Sequence, residues 1–496
     1  MKKSRRSFLL GMLALGLPTR IAAQGFPGGL GEALGPRFGA RPNVADPRLR
    51  RPRRGAGVLE RVRHWNEVAI DASGLDHTPS VPGGRVFGQQ LGPGRASRAM
   101  AIVHTAVFDA MNAVVGGYQS YTGLRAAPLG TSVEAAIAVA AHDTLVALFS
   151  SQQNDLDEVL AADLRLIPEG RAKTLGIKLG QAAADAILAR REDDGSDHPE
   201  PKIGIDWIPG DGPGQWRQDP ISKHPLALGA HWSEVDPFVL ESSEQFRVPP
   251  PPALSSRQYA AAFDEVKALG GDGIVTPTSR TDDQTFAGIF WAYDGTPSLC
   301  APPRLYNQIA TRIAEQQRTG PLELARLLAL VNVVMADAGI AIWESKYHYK
   351  LWRPVTGIRE DDGNRATAPD PKFSPLGAPA SNLNGPNFTP PFPAYPSGHA
   401  GFGGALFQML RHVYGTDRIP FTFVSDEFNG ETLDNEGNPR PLVPRRFASL
   451  SQAEEENGQS RIYLGIHWAY DKTQGIAQGR RIADYVFRRA FVRLRG

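Results

Sequence analysis

LELARLLALVNVVMADAGIAIWESK, residues 322–346, is the strongest helical run in the chain. Leu324, Leu327, Leu328, Val331, Val334, Met335, Ala338 and Ile342 recur at three- and four-residue spacing, which lays one apolar face along a helix. Arg326, Asn332 and Asp337 interrupt that run. Charged residues at such depths are expensive in a bilayer, so the segment predicts a buried bundle helix and not a membrane span.

Similar periodicity predicts helices over 98–112, 133–149, 173–190, 258–269, 281–291, 305–317, 398–414 and 473–494. No comparable set of alternating, strand-like runs accompanies them. The chain therefore reads as all-α, with one helical bundle drawn mainly from 95–190 and a second from about 300 to 496. Between them, 193–252 is rich in Pro and Gly, ends in Pro249–Pro252, and predicts an irregular connection. The resulting division is 64–300 for the first bundle with its connecting region and 301–496 for the second.

Residues 1–23 stand apart from this pattern. A basic start, an apolar run from Phe8 to Leu17 and a small-residue end at Ile21-Ala22-Ala23 form the three-part layout of an export signal. Ser4-Arg5-Arg6-Ser7-Phe8-Leu9 resembles a twin-arginine address, so the expected location is periplasmic or secreted. Residues 24–63 then shift to Gly, Pro and Arg with no apolar period, the composition of a flexible basic arm.

At 496 residues, with 41% hydrophobic and 21% charged, the chain has ample material for a large core. Its formal charge of +2 falls to about −3 once the five cations of the first 23 residues are set aside, which removes the electrostatic footing for nucleic-acid binding. The single cysteine, Cys300, excludes an intramolecular disulfide and a cysteine-built zinc or iron-sulfur centre. Any metal must take histidine or oxygen ligands.

Three clusters carry the chemistry. Lys346 and Arg353 are seven residues apart, about two turns, and share a face if the helix continues to Arg353. Pro396-Ser397-Gly398-His399 precedes an apolar helix, where a hydroxyl, a glycine and free first-turn N–H groups serve equally as an N-cap and as an anion cradle. In Ser460-Arg461-Ile-Tyr-Leu-Gly-Ile-His467-Trp-Ala-Tyr-Asp471, the last carboxylate is placed to accept an N–H of His467 and fix which ring nitrogen stays free. His104, His142, His231 and His348 lack such spacing and are left out of the site, as is Glu454-Glu455-Glu456, read as a solvated helix face.

Taken together and in order, Lys-(six)-Arg-Pro, Pro-Ser-Gly-His and Ser-Arg-(five)-His-(three)-Asp resemble the signature of the vanadium-dependent haloperoxidases, a superfamily shared with phosphatidic acid phosphatase type 2 and bacterial acid phosphatases. The match runs from Lys346 to Asp471, about a quarter of the chain. A looser one covers Arg98–Asn112 with His104 and Asp109.

The resemblance implies a vanadate site, which phosphate or another tetrahedral oxyanion can also occupy. Lys346, Arg353 and Arg461 would offset its charge, Ser397 and the Gly398 N–H would bind further oxygens, and His467 would ligate the metal with Asp471 orienting its ring. His399 would act in acid-base catalysis, and Lys346 would polarise bound peroxide. Hydrogen peroxide, a halide and a small organic acceptor are the implied reaction partners, with association into a homo-oligomer left open. Phe392 and Trp343 resemble the aromatic lining of chlorinating members, while the halide itself stays open.

Two other readings use the same residues. A phosphatase would attack phosphorus with His467 and protonate the leaving group from His399; an exported oxyanion binder would use the cations for capture alone. The 41 residues between Pro354 and Pro396, the 60 between His399 and Ser460, and the second bundle favour the peroxidase.

Overall fold

The structure, a computed structural model, describes residues 49, 57–78, 85–294, 299–377, 389–431 and 441–494. The export signal expected over 1–23 and most of the arm expected over 24–63 lie outside these residues. The first helix, α1 (Val58–Asp76), begins within that arm and carries the apolar face Val62, Trp65, Val68, Ala69 and Ala72. It is followed by α2 (Gly92–Val115), α3 (Val133–Leu148), α4 (Gln153–Leu164) and α5 (Arg171–Arg190). Next come α6 (Arg257–Leu269), α7 (Asp282–Phe290), α8 (Pro302–Gln316), α9 (Pro321–Tyr349) and the short α10 (Pro354–Arg359). The chain closes with α11 (Gly398–Tyr414), α12 (Leu450–Tyr463) and α13 (Ala469–Phe487). Among the described residues the only ladder is a two-stranded antiparallel one, β1 (Phe421–Phe423) with β2 (Arg445–Phe447).

The all-α, two-bundle expectation holds, and the bundles share one continuous core. α2 packs along α9, so that Met100, Val103 and Phe108 join Val331, Met335 and Ile342 in a single apolar cluster that extends to Val486. The long helix α9 is apolar enough to cross a membrane, yet it lies inside the protein. Its polar interruptions are all employed: Asn332 pairs amide to amide with Asn307, and Arg326 donates to the Phe491 carbonyl. Asp337 accepts the backbone N–H groups of Phe238, Val239 and Leu240 at 2.6–3.1 Å. These bonds fasten the irregular connection 193–252 to the centre of the molecule, satisfying a buried carboxylate and three loop donors at once.

Small residues set the position of the last two long helices. A Cβ at Gly475 would lie 2.7 Å from the Ser397 carbonyl, and one at Gly479 2.0 Å from that of Gly401. Only glycine permits the backbones to come this close. The contacts advance in the same direction along α11 and α13, so the helices run parallel and bring their N-termini together, Ser397–His399 beside His467–Asp471.

Two expectations are corrected. α9 stops at Tyr349, where Lys350 turns into the left-handed region at φ 49°, and Pro354 opens a new helix. Arg353 therefore reaches Lys346 by a chain reversal and not along one helix face. Glu454, expected on a solvated face, is buried at 1% exposure because Arg411 and Arg480 both close on its carboxylate.

Candidate active site

Each element end delivers one part of the site. Lys346, fully buried in the last turn of α9, donates from Nζ to the carbonyls of Pro393 (2.8 Å) and Ala394 (2.9 Å), which leaves one of three ammonium protons for another acceptor. The ammonium lies over the Phe392 and Trp343 rings at 5.1 and 5.7 Å. Burial, reinforced by the nearby Arg353 and opposed by Asp471, holds its pKa well below that of an ordinary lysine.

Arg353 is pinned on two sides, Nε to the Phe392 carbonyl (2.9 Å) and Nη1 to that of Ile466 (2.8 Å). Nη1 also lies 3.0 Å from His467 Nε2, while Nη2 is buried with no partner. Arg461 is held from Nη2 by both oxygens of Asp294, at 2.8 and 2.6 Å, and its Nε and Nη1 are buried without a partner. Guanidinium N–H groups are rarely left dry and unpaired, since each such donor costs about 1–3 kcal/mol. Here three of them occur on two neighbouring arginines.

His467 Nδ1 lies 2.8 Å from Asp471 Oδ2, the same oxygen that accepts the Trp468 N–H at 3.0 Å. With the ring proton on that side, Nε2 carries a lone pair. Burial and the Arg353, Lys346 and Arg461 cations push the His467 pKa well below the usual histidine range, so the ring stays neutral. Burial raises Asp471 to about 7 against the pull of the Trp468 N–H, Lys346 and Arg353.

Ser397 caps α11 through a long 3.4 Å bond to the Ala400 N–H, and its own N–H donates to the Asp471 carbonyl. A Cβ on Gly398 would meet only Trp343 ring atoms, at 3.5 Å, so the missing side chain leaves open space at the helix start instead of relieving a clash. His399 is fixed from behind, where Tyr306 Oη and Asn457 Nδ2 both donate to its backbone carbonyl at 2.9 Å. Its Nε2 lies 2.6 Å from the Ala292 carbonyl and 3.8 Å from Asp294 Oδ1. Nε2 is thus the protonated nitrogen and Nδ1 the acceptor. Burial, then Arg461 and Lys346, hold this pKa also well below the usual range.

The sequence-predicted residues therefore assemble: Gly398, His399, Arg461 and His467 line one cavity, with Lys346, Arg353, Ser397 and Asp471 behind them. Lys346, Arg353 and Arg461 oppose only Asp294 and Asp471, and burial raises the pKa of both carboxyls. The chamber has excess positive charge, dry unused donors, two helix N-termini and one imidazole lone pair, a set suited to a multiply charged tetrahedral oxyanion. Residues expected to hold vanadate thus fit it. Asp294 escaped the sequence reading because it stands alone, 52 residues before Lys346, in a segment without spacing or motif. The carbonyls of Ala292, Pro393 and Ala394 were equally illegible, since any residue supplies one.

Comparisons with known proteins agree with this geometry. The family description "VCPO second helical-bundle domain" matches residues 326–496. The vanadium chloroperoxidase of Curvularia inaequalis is 30% identical, the match covering 82% of this chain and 78% of that protein. The crystal structure described as the first bacterial vanadium-dependent iodoperoxidase superposes with a TM-score of 0.68 at 25% identity, covering 87% of this chain and 97% of that one. A bacterial vanadium-dependent chloroperoxidase shares the fold at a TM-score of 0.61 and 17% identity, over 82% and 97% of the two chains. By its signature residues, its bundle architecture and its likeness along most of its length, this chain belongs to the vanadium haloperoxidase family.

Proposed function

We propose that the protein is a vanadate-dependent haloperoxidase that uses hydrogen peroxide to oxidise a halide to hypohalous acid or a bound equivalent, which halogenates a small organic acceptor. The observation that carries this reading is the trio of dry, unpartnered guanidinium donors, Arg353 Nη2 and Arg461 Nε and Nη1, beside the free Nε2 lone pair of His467. Bound vanadate would supply Lewis-acid activation of peroxide without change of its own oxidation state.

His467 Nε2 would ligate the metal, and Asp471 keeps the ring proton on Nδ1 so that this lone pair stays available. Arg353, Arg461, Ser397 and the Gly398 N–H would hold the oxyanion oxygens. Asp294 fixes the Arg461 fork and so directs its other N–H groups. His399 Nδ1, the nitrogen not engaged by Ala292, would take the first proton of hydrogen peroxide and later return it. The third N–H of Lys346 would bind the oxygen to be transferred and favour attack on it by halide. Phe392 and Trp343 flank that ammonium and present apolar faces to a weakly hydrated anion. Export of the protein to the periplasm or medium, supported by the three-part segment 1–23, belongs to the same proposal.

Purified protein loaded with vanadate is expected to halogenate a phenolic dye only when peroxide and halide are both present, and to lose this on chelation of vanadate. Release of phosphate from a monoester by the unloaded protein, with no halogenation after loading, would replace this reading by the phosphatase one.

A further inference from the structure

The oxyanion chamber continues into a cavity whose remaining wall is almost wholly apolar. Leu226, Leu228, Pro391, Phe392, Phe402 and Trp343 are among its lining, with about 70 Å³ open to the centres of water molecules. That is room for roughly five to seven waters, the bulk of one substituted six-membered ring. The wall is built and not a packing fault. The Leu228 carbonyl accepts both Trp343 Nε1 (3.1 Å) and Tyr347 Oη (2.9 Å), and its N–H donates to the Pro391 carbonyl at 2.9 Å.

Two histidines break the apolar lining away from the oxyanion. His77 is used up, Nδ1 against the Ser73 carbonyl and Nε2 accepting the Gly92 N–H. His224 is not. It is 5% exposed, its Nδ1 accepts the Leu226 N–H at 3.3 Å, and its Nε2 has no partner. A ring that accepts at Nδ1 carries its proton on Nε2, so the cavity wall contains one buried, unused neutral donor. Burial lowers the His224 pKa to about 3, which keeps this tautomer across the working range.

We propose that this cavity is a binding site for the organic acceptor, and that the acceptor class is a single-ring phenol whose oxygen receives the His224 Nε2–H while its ring lies against Leu226, Leu228 and Phe392. The inference rests on the haloperoxidase reading for its chemistry and on the cavity alone for its binding. An electrophilic halogen needs an electron-rich carbon, and a phenol offers both that carbon and one oxygen for one donor. Halide, peroxide and a proton give hypohalous acid and water; hypohalous acid and the ring C–H then give the C–halogen bond and water, the ring proton leaving with the hydroxyl oxygen. Formation beside the ring lets the site choose which carbon reacts.

Calorimetry on vanadate-free protein compares phenol with toluene, equal in heavy-atom count but lacking the oxygen. Phenol is expected to bind saturably and about five- to tenfold tighter than toluene, the range of one neutral hydrogen bond. His224→Phe should abolish that preference, and Leu226→Trp, which fills the cavity, should weaken both ligands at least tenfold. Loaded wild-type enzyme should also give an ortho-to-para halogenation ratio different from that of free hypohalite. No saturable phenol binding, an unchanged preference in His224→Phe, or the free-hypohalite ratio would each overturn the proposal, and the wild-type measurements decide it even if a variant fails to fold. Triiodide formation from iodide and peroxide without any organic acceptor reports separately on halide oxidation. Its absence would sink the haloperoxidase reading, and leave phenol binding to stand or fall by itself.

Discussion

Two buried arginines of this protein live under opposite rules. Arg304 in α8 is met by Asp426 at Nε (2.8 Å) and by Asp71 and the Ile70 carbonyl at Nη1 (2.8–2.9 Å), and these carboxylates outweigh burial to raise its pKa. Arg353 is as deeply buried, but its fixed partners are two carbonyls and an imidazole, its nearest charges include Arg461, and its pKa is driven down. The first centre is complete in itself and fastens α1, α8 and the 426 turn together. The second is incomplete until an anion arrives. Whether charge is balanced inside the protein separates a structural ion cluster from a ligand site, although residue type and depth are the same.

The largest effect that would break this contrast lies at the balanced centre. Arg304→Met strands two carboxylates and should destabilise the fold by about 3–5 kcal/mol in denaturant melts; a loss under 1 kcal/mol would erase the distinction. At the unbalanced centre, vanadate at one hundred times its Kd should instead add about 2.7 kcal/mol to wild-type stability. Next in size, Arg353→Met should weaken vanadate binding by about 10- to 150-fold, the worth of charge-assisted bonds of about 1.5–3 kcal/mol. Its unliganded stability should hold or rise, because a dry, unused donor is gone.

The smallest effect is a matter of sign. His399 and His467 have folded pKa values depressed below the unfolded 6.5, so the unfolded chain binds their protons first. Their contribution is present above pH 6.5 and is lost as pH falls below it, at up to about 1.4 kcal/mol per pH unit for each ring. His399→Gln should reduce the slope of denaturation midpoint against pH between 6.5 and 5 by one proton's worth. An unchanged slope would mean that the ring is already charged in the folded protein.

Periodicity made the helices visible, and the signature residues made the site visible, for different reasons. α9 announced itself because a face that must be buried repeats every three to four residues. Lys346, Arg353, Ser397, His399, Arg461 and His467 were legible because an oxyanion admits few residue types in few arrangements. The turn at Lys350 was hidden: one residue in the left-handed region redirects the chain without leaving a pattern, and Pro354 was the only hint. α1 was masked by the Arg-rich stretch before it, and Glu454 by two acidic neighbours that do reach solvent. Asp294 and His224 belong to a third kind, single side chains in irregular segments whose meaning exists only through what lies across from them.

The three N–H bonds that Asp337 accepts from 238–240 have a further consequence. That carboxylate sits nine residues upstream of Lys346 on the same rigid rod, so it moors the segment bearing His224, Leu226 and Leu228 to the beam that carries the cation. Evolution can therefore rewrite the side chains along this wandering strip, and with them the choice of guest, while the hearth where oxidation occurs keeps its alignment.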